Sequence, residues 1–83
     1  MAPEIKSIQV KPKYRISVKF KNGQARLFDV EPYLNKGIFK ELKNPAYLKK
    51  VRIISGGIEW PHKQDLSADT LYFRGKRFLK NVA

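Results

Sequence analysis

The chain lacks cysteine altogether, and it holds one tryptophan, one histidine and seven acidic residues among 83. Without cysteine there is neither a disulfide framework nor a thiolate metal site to staple a small fold. A lone His62 leaves a zinc-type site short of its three or four converging ligands, so no metal and no cofactor is expected. No apolar run approaches the roughly 20 residues of a membrane span. The opening Met1-Ala2-Pro3-Glu4-Ile5-Lys6 lacks the apolar run of a signal peptide, so the expected place is the cytoplasm. Gly56-Gly57 has neither GxGxxG nor GxxxxGK[ST] spacing and reads as a turn, not a phosphate loop. The basic-aromatic signature of an RNA-recognition motif is also missing.

What the chain has in excess is positive charge. Eighteen Lys and Arg face seven Asp and Glu, for a net +11. Residues 1–28 hold seven basic and one acidic side chain, the densest share. Such an excess attracts polyanions and speeds encounter with acidic partners, but carries no information about fold. The plain alternative is a lysine-rich, solubilising surface.

Length bounds the architecture. A chain of this size buries about 60–65% of its unfolded surface, which allows one small core. The expectation is a single domain over 1–83, with a core from 5 to 72 and a basic C-terminal segment from 73 to 83.

The first third reads as strands. Ile5, Ile8 and Val10 form a short apolar run, which Lys11-Pro12-Lys13 interrupts. Tyr14, Ile16, Val18 and Phe20 then alternate with Arg15, Ser17 and Lys19, as in a half-buried strand with a basic outer face. Asn22-Gly23 signals a hairpin with a type I′ turn, returning through Ala25, Leu27, Phe28 and Val30. Arg15, Lys19 and Lys21, with Arg26 opposite, are expected to make a cationic ridge.

The middle reads as short helices. Glu31-Pro32-Tyr33-Leu34 suggests one turn, and Ile38, Phe39 and Leu42 suggest one helical face. Asn44-Pro45 is a helix start, leading to Tyr47, Leu48 and Val51 on the core side. Val51 to Ile54 and Ile58 to Trp60 then make a second hairpin around Ser55-Gly56-Gly57.

The stretch from Ile58 to Tyr72 closes the domain. Pro61 has no amide hydrogen and ends the strand. His62 to Asp65 reads as a polar loop. Ser67 caps a helix, Asp69 sits in its first turn, and Leu66 staples against Leu71. Trp60 is expected inside, under Leu71 and Tyr72. After Phe73, Arg74, Lys76, Arg77 and Lys80 form a second basic patch, with Phe78, Leu79 and Val82 at near-helical spacing. The fold class is α+β: an antiparallel sheet of four to five strands in two hairpins, packed with two or three short helices.

The order of these pieces resembles a widespread small bacterial family known as domain of unknown function 2442. The matching residues are the strand ending in Phe20, Asn22-Gly23, Phe28-Asp29-Val30, Gly37-Ile38-Phe39 with Leu42, Asn44-Pro45-Ala46-Tyr47 and Val51. The most specific block is Ile58-Glu59-Trp60 followed by Asp65-Leu66-Ser67-Ala68-Asp69-Thr70-Leu71-Tyr72. Where that family usually has a short loop with a glycine before the aspartate, this chain has His62-Lys63-Gln64. The resemblance implies a small α+β domain without established enzymatic activity, often encoded beside a second small gene as in toxin–antitoxin modules.

The expectation that follows is a non-catalytic binding domain, contacting a partner protein, nucleic acid or both. Its charged contacts fall on Arg15, Lys19, Lys21 and Arg26, with Arg74, Lys76, Arg77 and Lys80 as a second group. Two alternatives stand beside it. One is a protein-interaction module or homodimer without a nucleic-acid role. The other is a small enzyme using His62 with Asp65, or with Asp69.

Overall fold

The computed structural model describes residues 1–77. Ile5–Lys11 is strand β1, Arg15–Phe20 is β2 and Ala25–Asp29 is β3. Alternation decides which way their side chains point. Ile16, Val18, Phe20 and Phe28 are buried on one face, while Arg15, Ser17, Lys19, Leu27 and Asp29 face outward. The interrupting Lys11-Pro12-Lys13 is itself a hairpin turn, since Lys11 pairs with Arg15.

The turn between β2 and β3 is not the expected type I′. Only Gly23 is left-handed, with φ +89°, whereas type I′ needs two such residues. The Gly23 amide donates to the Phe20 carbonyl and the Phe20 amide to the Gln24 carbonyl. This is a three-residue loop with a glycine bulge.

Beyond β3 the chain makes a 3₁₀ turn, Glu31–Tyr33, and a 3₁₀ helix, Gly37–Lys43. With three residues per turn, Phe39 and Leu42 share the inner face and Ile38 is left exposed. Pro45–Leu48 forms α1, capped by the Asn44 side chain accepting from the Ala46 amide at 3.0 Å.

Arg52–Ile54 (β4) and Gly57–Glu59 (β5) make the second hairpin. Asp65–Ser67, expected as loop and helix cap, adds a third strand, β6. Ala68–Arg74 is α2, and the Ser67 hydroxyl accepts from the Thr70 amide as expected. Lys76–Arg77, expected in a helical or frayed tail, is a two-residue strand, β7, paired to β3. The helical spacing of Phe78, Leu79 and Val82, and the site residue Lys80, lie outside the described residues.

The domain is α+β, as the sequence indicates, with two antiparallel sheets in place of one. Their orders are β1-β2-β3-β7 and β4-β5-β6. The core lies on the inner faces of both. Trp60 is fully buried within it, and its indole N–H donates to the Leu48 carbonyl at 2.9 Å. Leu66 and Leu71 join the same cluster. Tyr72 packs edge-on against Phe20, with ring centroids 5.0 Å apart. Among the described residues no helix is long and apolar enough to cross a membrane.

Candidate interaction surface

The register of the four-stranded sheet fixes what its outer face presents. Three rows cross the strands: Lys11, Arg15 and Asp29; Gln9, Ser17, Leu27 and Lys76; Ser7, Lys19 and Ala25. None of these residues is buried. Lys11 stands directly opposite Arg15, where side chains approach to about 5 Å at Cβ and like charges repel. Lys19 lies four residues along β2 from Arg15, about 13 Å away. Asp29 is the one acid on this face, and its carboxylate also accepts from the Glu31 amide at 3.0 Å.

The expected ridge is partly present. Arg15 and Lys19 share the outer face, and Lys76, expected in the second basic patch, lies there with them. Lys11 joins them, and alternation with Ser7 and Gln9 was its signal once β1 is extended to that residue. Lys21 instead sits in the turn and binds Glu4 at 2.8 Å. That bond holds the Glu4 carboxyl below the usual carboxylate range. Arg74 ends α2, and Arg77 lies on β7 opposite Arg26; both are exposed.

Arg26 departs from the expectation. It pairs with Val18, an inward residue, so its side chain enters the protein and only 4% of the residue is exposed. Its Nε donates to the Tyr72 carbonyl at 2.8 Å. One terminal nitrogen donates to Gln24 Oε1 at 3.0 Å and to the Ala25 carbonyl at 2.9 Å. The guanidinium also lies 4.1 Å from the Tyr72 ring centroid. A planar, multiply donating cation can be buried without a carboxylate when carbonyls and a π face surround it. Arg26 therefore ties β3 to the end of α2 and does not belong to the ridge.

A second cluster gathers where the sequence placed its enzymatic alternative. His62 Nδ1 lies 2.7 Å from Glu41 Oε2 and 2.8 Å from Oε1, so its carboxylate neighbour is Glu41. Asp65 is in β6 opposite Glu59, and Asp69 accepts from the Ala2 amide. Gln64 is 1% exposed and donates to both the Ile38 carbonyl and Glu41 Oε1. The Tyr47 hydroxyl donates to Gln64 Oε1 at 2.7 Å and accepts from the His62 amide at 2.9 Å. Every buried polar side-chain atom among the described residues is thus satisfied. Donation from His62, and then from Gln64, holds the Glu41 carboxyl below its ordinary range.

The network has the chemistry of a clasp. It joins the 3₁₀ helix, α1 and the 61–63 loop through one buried amide. Among the described residues, no group of three or more His, Cys, Asp or Glu side chains is placed to hold a metal ion.

A family model described as "Protein of unknown function (DUF2442)" matches residues 5–77. No curated protein and no solved structure matches the chain.

Proposed function

The chain belongs to the DUF2442 family, and from that premise we propose a non-catalytic domain that holds nucleic-acid phosphates on the outer face of its four-stranded sheet. One observation carries the reading: Lys11, Arg15, Lys19 and Lys76 share that face with a single acid. Phosphates held at Lys11 and at Arg15, one at each, offset the cross-strand repulsion between the two cations. Among the described residues the face has no aromatic ring on which a base would stack. Binding is then to the backbone and indifferent to sequence. Ser7, Gln9 and Ser17 supply neutral donors between the cations.

In this reading the domain works in the cytoplasm without a cofactor. It is one member of a toxin–antitoxin-like gene pair, whose companion protein meets the remaining basic surface around Arg74 and Arg77.

Anisotropy of a labelled duplex oligonucleotide at low salt tests the assignment. Replacing Arg15 and Lys19 together by Glu is expected to weaken binding by about tenfold or more, because each lost phosphate contact removes released counterions. Lys36→Ala and Lys40→Ala, away from the sheet, are expected to change it by less than about twofold. Equal losses from the two pairs would reduce the face to general positive charge.

A further inference from the structure

A shallow groove of ≈ 400 Å³ runs between the β1–β2 turn and α1. Val10, Tyr14, Pro45 and Leu48 form its apolar floor, and Lys11, Lys13 and Lys49 stand around it. No acidic residue lines it. Its volume falls near the lower end of the roughly 300–1,000 Å³ of ligand pockets.

The turn beside the groove is built in a way that folding alone does not favour. Lys13 and Tyr14 have φ +65° and +60°, the left-handed region that glycine tolerates and other residues avoid. The strain at Tyr14 is offset. Its carbonyl accepts from the Val30 amide at 2.8 Å, and its hydroxyl donates to the Lys43 carbonyl at 2.7 Å. The Lys13 side chain makes no hydrogen bond among the described residues. Pro12 followed by a left-handed residue is the order of a type II turn, which places glycine where Lys13 stands. The chain instead presents a cation there, beside two more lysines.

We propose that this groove docks an extended acidic segment of a partner protein, with an apolar side chain on the floor and flanking carboxylates against Lys11, Lys13 and Lys49. The lining favours a peptide over a nucleotide. Among the described residues it offers no side-chain amide, and its one hydroxyl there, on Tyr14, is already bonded. Pro12 and Pro45 offer no amide hydrogens. A base would leave its polar edge unpaired against that floor, while an aliphatic side chain loses nothing. Lysine ammoniums are point charges that accept a carboxylate from many directions.

The test is fluorescence anisotropy with a short labelled peptide of alternating Glu and Leu. An all-Glu peptide of equal length and a Lys–Leu alternation serve as comparisons. The Glu–Leu peptide is expected to bind, the all-Glu peptide about tenfold more weakly, and the Lys–Leu peptide not at all. Lys13→Gly and Lys49→Ala are each expected to weaken binding by about fivefold. Lys13→Gly should at the same time raise the melting temperature, which excludes unfolding as the cause. A Lys19→Glu, Lys76→Glu variant, altered on the sheet face away from the groove, should keep its peptide affinity, so failure on the sheet face and failure in the groove can be told apart. Equal affinity for Glu–Leu and all-Glu peptides would overturn the proposal. So would Lys13→Gly binding that matches the unaltered chain, or an oligonucleotide whose own affinity falls with Lys13 and Lys49 while the peptide's does not.

Discussion

Gly75 and Lys63 illustrate opposite uses of backbone freedom. Gly75 has an ordinary φ of −70°, so its need is for space. A Cβ there would sit 2.5 Å from the Leu71 carbonyl oxygen and 2.9 Å from Arg26 Cβ. Neither neighbour can yield, because Leu71 is in α2 and Arg26 is fixed by three hydrogen bonds. Gly75→Ala is expected to destabilise by about 1–3 kcal/mol, read from the midpoint of denaturant unfolding. Lys63 has φ +81° and no glycine to carry it. Its loop repeats the β2–β3 turn: the Lys63 amide donates to the Trp60 carbonyl, and the Trp60 amide to the Gln64 carbonyl. Lys63 thus occupies the place that Gly23 takes in the other loop. Lys63→Gly is expected to stabilise by about 1 kcal/mol, raising the melting temperature by about 4–8 °C. An unchanged or lower value would mean that the strain is already offset elsewhere.

At the scale of elements, the clasp of Glu41, Gln64, Tyr47 and His62 gives the fold an acid limit. The Glu41 carboxyl titrates lower in the folded chain than in the unfolded one. Its contribution to stability is therefore complete above the ordinary carboxylate value of 4.5, and is lost as pH falls through the lower folded value. Glu41→Gln should flatten the decline of stability in this acid range, as followed by denaturant melts across pH. Little of this was legible in the sequence, because Glu41 and His62 are 21 residues apart and only the 3₁₀ helix brings them together. What was legible was local. The alternation of 15–20, the Asn44 and Ser67 caps and the burial of Trp60 all follow from neighbours in the chain. The strands β6 and β7, of three and two residues, carry too little pattern of their own. Their pairing partners create them. Arg26 was misplaced for a related reason: its side chain obeys the register with Val18, and residue type alone suggested the opposite face.

Over the whole molecule, a net charge of +11 says only that polyanions are attracted. The fold decides where. It buries Arg26, pairs Lys21 with Glu4 and Arg52 with Glu59, and leaves Lys11, Arg15, Lys19 and Lys76 on one open sheet face. If those four cations each hold one phosphate of a duplex, the logarithm of the binding constant must fall with the logarithm of salt at a slope near about −3.6. The direct measurement is that slope, from oligonucleotide binding across a salt series, for the unaltered chain and for Arg15→Ala with Lys19→Ala. The expected result is about −3.6, falling to about −1.8 in the double variant. A slope near zero, or one that the double variant leaves unchanged, would contradict the assignment of this face to phosphates.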